Sequence, residues 1–324
     1  MTVAMDGRGA ATPSRWRDID GIVLLDKPPG MGSTPALQRV RRLLRAEKAG
    51  HAGTLDPMAT GMLPLCFGQA TKACGWLLDS SKVYRARLLL GAATDTGDAD
   101  GAVRDTAVVP ELDAVRVASV LSSFLGPRQQ CPPMYSALKY RGKPLYELAR
   151  RGEEVERTPR SIVIQRLDLV EFGPVEIEFE VACSKGTYVR VLGEEIAAAL
   201  GTLGHLGALR RLEVEPFRRQ DMVSLTVIED WIAHGGTPEA HPEWLLPVDA
   251  AFAGMPRIDL DAGQSLRLSQ GQVLALPIPP EPRLSRAYDP AGRFLGIVEP
   301  APPRSIRVAR LFVPGGPAAT SAQS

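Results

Sequence analysis

Residues 50–75 read GHAGTLDPMATGMLPLCFGQATKACG. Glycine, threonine and proline recur as they do in loops, yet apolar residues run through the whole stretch. The composition predicts a tightly packed loop followed by a strand and a short helix, not a linker. Asp56 lies in the middle of that loop, and the proline after it pushes its backbone towards extended angles. A carboxylate held this way is rigidly aimed. Taken alone, it suits an Asx turn or a helix cap as well as a catalytic role.

Upstream, GIVLLD (residues 21–26) is a short apolar run that predicts a buried strand, closed by a Pro28-Pro29-Gly30 turn. A helix capped by Ser33 or Thr34 should follow, with Pro35 in its first turn. Its apolar stripe is Leu37, Val40, Leu43 and Leu44, with Arg39, Arg41, Arg42, Arg45 and Lys48 on the wet side. Counting Lys27, residues 27–48 hold six basic side chains against one acidic, Glu47. Such a run is either a solvated helix face or a contact for polyanions.

Downstream, YRARLLL (84–90) predicts a strand, and Thr94–Gly101 an acidic loop without calcium-loop spacing. Residues 111–125 have helical periodicity, stopped by Gly126-Pro127. Residues 127–160 look like an inserted, mobile arm with a short helix at 145–150. From 139 to 160 the arm carries seven basic and four acidic side chains. Two antiparallel strands are expected at 161–170 and 175–182, about Phe172-Gly173-Pro174. A helix at 190–200, a strand at 212–214 and a helix at 224–234 with Ser224 as its cap come next. In CSKGTYVR (183–190) a glycine turn ends a strand, and Tyr188 and Arg190 would share one face if the segment is extended. Residues 237–247 are rich in proline and read as a domain junction, and 256–313 as a small module of short strands.

Length and composition set the outer limits. A chain of 324 residues with 44% hydrophobic and 23% charged side chains predicts about two globular domains. The net charge of +1 makes no global case for nucleic acid, so any such case rests on local patches. Cys66, Cys74, Cys131 and Cys183 form no C-x-x-C pair and no zinc spacing, and no nucleotide-binding or hydrolase fingerprint occurs. No cofactor and no metal are therefore expected. The first residues lack an apolar signal core and no run has the length of a membrane span, which predicts a cytosolic protein without membrane contact.

The motifs GHAGTLDPMATGMLP, KVYRARLLLGAATDTGDADG, CSKGTYVR and HLGALRR, in this order, resemble those of the TruB-type tRNA pseudouridine synthases. The opening GIVLLDKPPGMGST and the arm PPMYSALKYRGKPLYELAR are similar as well. The likeness is strong over about residues 20–215, and weaker through the end of the chain. It implies an α+β fold: a mixed, mainly antiparallel central sheet with flanking helices and an RNA-binding arm at 127–160. With flexible residues 1–19, that catalytic domain would span 20–250, followed by a small all-β PUA-like domain at 251–314 and a disordered tail at 315–324.

The resemblance also implies the activity: isomerisation of the T-loop uridine at position 55 of tRNA to pseudouridine. A base inside a folded loop must be flipped out to be reached, at a cost of a few kcal/mol. On this likeness Asp56 is the nucleophile, Arg190 its guanidinium partner and Tyr84 the ring that stacks on the uracil. Tyr188 and Leu209 would form the other pocket wall. Asp98 would make a polar contact near base or ribose, and His51 would fill the gap left by the flipped base. Lys27 belongs to the family's K-P pair, and Arg150 and Arg151 would meet RNA phosphates. The T arm of tRNA is the implied partner; a monomer with no obligate protein partner is expected. Rival readings are a synthase for another RNA, a non-catalytic RNA-binding protein, and a two-carboxylate glycosidase using Asp56 and Asp98.

Overall fold

The structure, a computed structural model, describes residues 16–276 and 283–312. The tail expected at 315–324, and residues 1–15 of the other, lie outside them. The catalytic region begins with β1 (Gly21–Lys27), α1 (Ser33–Leu44), β2 (Ala49–His51), β3 (Thr60–Phe67), α2 (Cys74–Asp79) and β4 (Lys82–Leu90). A small hairpin, β5 (Ala92–Thr94) and β6 (Val103–Thr106), holds the acidic loop, and α3 (Ala114–Ser122) and β7 (Gly126–Gln130) follow. The arm contains β8 (Lys139–Tyr140), β9 (Lys143–Pro144) and α4 (Leu145–Ala149). Then come β10 (Arg160–Phe172), β11 (Glu176–Cys183), α5 (Val189–Ala199), β12 (Gly204–Val214), β13 (Val223–Ser224), α6 (Leu225–Ala233) and β14 (Leu245–Leu246).

Ten of these strands form one sheet in the order β13-β1-β3-β12-β4-β11-β10-β7, with β14 also on β1 and β2 also on β3. Only the β1–β13 and β3–β12 pairings are parallel. The central strands are covered on both faces, and for that reason β1 is a continuous apolar run instead of an alternating one. Val23 and Leu25 pack under α1, α3, α5 and α6, with Leu37, Val40, Leu121, Leu192, Ile196 and Ile228. Ile22 and Leu24 face the other way, onto Ala70, Ala73, Leu77 and the aromatic side chains Phe252 and Phe312.

The second sheet comprises β15 (Arg257–Asp259), β16 (Leu274–Ala275), β17 (Ser285–Tyr288), β18 (Phe294–Ala301) and β19 (Ser305–Leu311). It is not purely β: α7 (Ala262–Ser269) stands between its first two strands, begun by a reciprocal Asp261/Gln264 capping box.

Several local expectations need correction. Ser33 does not cap α1; Gly32 occupies that position without a side-chain bond, and Ser33 points elsewhere. Residues 16–19 are held rather than frayed: Arg17 bonds the Arg45 carbonyl and Glu239, and Ile19 is buried. The arm is shorter than 127–160, since 127–130 pair with 160–163 as the edge of the main sheet. An edge strand tolerates Pro127 because its missing N–H faces away from the ladder. The strand expected only at 212–214 runs from Gly204. Within 237–247, Leu245 and Leu246 pair with β1, so the proline-rich stretch is stitched to the catalytic sheet.

Candidate active site

The chain fastens the Asp56 loop on both sides of the carboxylate. Ser33, at the start of α1, donates its hydroxyl to the Leu55 carbonyl (3.1 Å) and accepts the Leu55 N–H (2.7 Å). The Pro57 carbonyl accepts from the Gly30 N–H (2.8 Å) and from Lys27 Nζ (3.4 Å). Lys27 also donates to the carbonyls of Pro28 and Met31 and has no exposed surface. Burial pushes its pKa down to about 8, against the pull of the nearby Asp56 charge. Its fully buried ammonium is spent on backbone carbonyls. Lys27, expected among the substrate-binding residues, is a buried clamp on this loop.

Arg190 sits in the first turn of α5, not on an extended segment as the CSKGTYVR reading allowed. Tyr188 is the helix N-cap residue, and Gln130 grips its backbone on both sides, accepting the Tyr188 N–H (2.8 Å) and donating to its carbonyl (3.2 Å). The Arg190 guanidinium places Nε 3.0 Å from Asp56 Oδ2 and 3.6 Å from Asp98 Oδ2. Its two terminal nitrogens donate to the carbonyls of Thr96 and of Tyr135 in the arm. The Arg190 side chain is 5% exposed, whereas that of Asp56 keeps 35%, so the carboxylate is the member of the pair that a substrate can reach. Burial raises the Asp56 pKa, Arg190 pulls it back, and Asp98 adds to the rise.

Two cavities meet at Asp56 and Arg190. The smaller, about 320 Å³, is lined by Tyr84, Leu209, Tyr188, Lys82 and Arg211 among others. The larger, about 780 Å³, opens beneath the arm and is lined by Asp98, Thr96, Tyr135, Tyr146 and Arg150. Tyr84 is half-buried on β4; burial raises its hydroxyl pKa and the Arg211 charge opposes this. Burial likewise raises that of Tyr188. Asp98 is buried and accepts from Thr96 Oγ1 (2.5 Å) and the Asp100 N–H (3.2 Å), which makes it a brace behind Arg190.

Two expected contacts, His51 and Arg151, fall outside this cluster. His51 lines neither cavity; its Nδ1 is buried without a hydrogen-bond partner, and burial with the Arg211 charge lowers its pKa. Arg151 lines neither and pairs with Glu153 at 3.2 Å, while Arg150 stacks over Tyr146 at 5.6 Å. Sequence reasoning missed Ser33 as a loop clamp, Gln130, and above all Arg211, which is 1% exposed and donates to the carbonyls of Met62 (2.6 Å) and Gly53 (3.2 Å). A signal for Arg211 existed: on a strand, adjacent arginines must face opposite ways. Arg210 faces solvent and Asp26, leaving Arg211 to the interior.

Comparisons with known proteins agree in kind. The model for the TruB family pseudouridylate synthase N-terminal domain matches residues 41–189, and that for the tRNA pseudouridylate synthase B C-terminal domain matches 190–253. A tRNA pseudouridine synthase B of Dechloromonas aromatica is 47% identical over 285 residues, 88% of this chain and 93% of its own. One of Hydrogenovibrio crunogenus is 48% identical over 285 residues, 88% and 91%. Among solved structures, a Cbf5-Nop10-Gar1 complex superposes with a TM-score of 0.70 at 22% identity, over 95% of this chain and 93% of that one, a likeness of fold.

Proposed function

The chain belongs to the TruB family of pseudouridine synthases and isomerises uridine to pseudouridine in tRNA; we propose that its target is the T-loop uridine at position 55 and that Asp56 is the nucleophile. The observation that carries this reading is the Asp56–Arg190 pair, 3.0 Å apart, where a cavity walled by Tyr84, Tyr188 and Leu209 meets the groove beneath the arm. The groove suits a stem and the cavity a flipped nucleotide, whose ring would stack on Tyr84 for about 1–3 kcal/mol. Asp56 attacks with an ionised oxygen, the N-glycosidic bond breaks, the uracil turns, and a C5–C1′ bond forms. Arg190 keeps the carboxylate charged and aimed, and Asp98 keeps Arg190 in place. The small β module adds RNA grip as a PUA-like domain, and the enzyme works as a monomer.

The test is mapping of pseudouridine by carbodiimide (CMC) labelling in tRNA from cells lacking the protein. Position 55 should be unmodified, restored by the wild-type chain and not by Asp56→Asn, whose tRNA affinity should stay within a few fold. Intact modification at 55 in those cells would point to another uridine or another RNA.

A further inference from the structure

The pocket contains one charge that the chemistry above leaves without a task. Arg211 is the bulkiest of the fully buried side chains, and among the described residues no carboxylate lies within ion-pairing distance of it. Burying a guanidinium without a counter-ion is costly. Two bonds to backbone carbonyls use two of its five N–H donors and a third faces the Tyr84 hydroxyl, which leaves donors free for a ligand. The other cations nearby are differently spent. Lys82 places its three donors on the carbonyls of Leu77, Leu78 and Ser80, and Arg190 is taken by Asp56 and two carbonyls. Arg211 alone brings an unpaired charge with spare donors to the cavity shared by Tyr84 and Leu209. Gly53 leaves it room, since a Cβ there would lie 3.2 Å from its terminal nitrogen.

We propose that Arg211 is a catalytic residue whose charge stabilises the uracil anion formed when the glycosidic bond breaks. The proposal rests on the reading of this cavity as the uridine site. The N1–C1′ electron pair leaves with the ring, whose charge spreads over N1, O2, O4 and C5, while Asp56 holds C1′. The ring then returns an electron pair from C5 to C1′ as the Asp56–C1′ bond breaks and frees the carboxylate, C5 gives up its proton, and N1 takes one up. Atoms and electrons balance without an oxidant or reductant. A preorganised cation in a water-poor pocket is the arrangement that favours charge appearing in such a step.

A better leaving group should need Arg211 less. Fluorine at C5 withdraws electrons and stabilises the uracil anion by itself. The experiment compares T-arm RNA carrying uridine or 5-fluorouridine at the target, under single turnover, by mass-spectrometric loss of the parent nucleoside. Arg211→Met should slow the uridine reaction about a hundredfold, the scale of losing one such donor, and the 5-fluorouridine reaction less than tenfold. Arg211→Lys should fall between wild type and Met on uridine. Equal losses on both bases would overturn the proposal and leave Arg211 a packing residue. Thermal melts are run alongside; if the Met variant does not fold, the Lys variant decides by the same comparison of the two bases. A wild-type chain inert on both RNAs would sink the reading of the site itself, a result distinct from equal losses.

Discussion

Arg190 meets Asp56 through Nε and spends its two terminal nitrogens on the carbonyls of Thr96 and Tyr135. Lysine's three donors diverge from a single nitrogen and cannot reproduce the planar fork that spans these three partners. Arg190→Lys should therefore cut the single-turnover rate about a hundredfold, the scale of an ångström of misplacement. It should also lower the melting temperature, because two buried carbonyls lose their donor. A variant keeping a tenth of the rate would assign Arg190 to a different role. Asp56 adds a pH signature. Its folded pKa lies above the roughly 3.9 of a free aspartate, since burial outweighs Arg190. The reaction needs the ionised form, so kcat/KM should fall as pH drops through that raised value, and Arg190→Gln should move this acid limb higher still. A limb at the free-aspartate value would contradict it. At this scale much was legible: proline after Asp56 marked a fixed carboxylate, and the motif order pointed to Arg190. Arg211 was not, because its strand is expected only from residue 212 and its neighbour Arg210 carries the visible charge pair.

Only the last three residues of β12 are legible as a strand, and its glycines explain why. Gly204 and Gly207 look like breakers in the sequence, yet each marks close packing. A Cβ on Gly204 would lie 2.7 Å from that of Ala197 on α5, and the β12 register shifts between Leu206 and Ala208. The helix α7 was hidden differently: its amphipathic stripe is short and its cap is the only strong signal. Gly61 is the sharpest requirement of this kind. It has φ +94°, and a Cβ there would sit 2.1 Å from the Arg211 carbonyl in the parallel β3–β12 pairing. Gly61→Ala combines a left-handed penalty of about 1–2 kcal/mol with an overpacking cost of about 1–3. A loss of roughly 3 kcal/mol in denaturant unfolding is expected, with reduced activity because Arg211 moves; unchanged stability would mean the pairing is loose. The arm makes its own prediction. Arg150 lines the groove, whereas Arg151 is occupied by Glu153 and the Glu147 carbonyl. Arg150→Gln should reduce the slope of log K against log salt by about 1, and Arg151→Gln by less. Equal slopes would take the arm off the RNA backbone.

In the whole molecule, catalytic sheet and C-terminal module share one core. Trp76 of α2 meets Phe252 edge-on at 5.4 Å, and Phe252 meets Phe312 at 5.5 Å, over Ile22, Leu24 and Ile297. A chain lacking residues 253–324 would bare this cluster, so it should lose melting temperature and self-associate on a sizing column rather than behave as a simple KM variant. A monodisperse truncation with the wild-type melt would show the module to be independent. Such sharing was invisible in the sequence, where residues 237–247 read as a junction; only tertiary pairing reveals Leu245 and Leu246 beside β1. That pairing has a consequence in time. One flank of β1 is closed by β3 soon after it in the chain, but the other is closed only by β13 and β14, from residues 223–224 and 245–246. During synthesis the apolar strand β1 therefore waits with a naked edge, open to pairing with other nascent chains. A fragment ending at 222, with both the β1 edge and the aromatic cluster bare, should pellet at a lower concentration than one ending at 247, where only the cluster is. The guard on that edge is made only after every other strand of the catalytic sheet has left the ribosome.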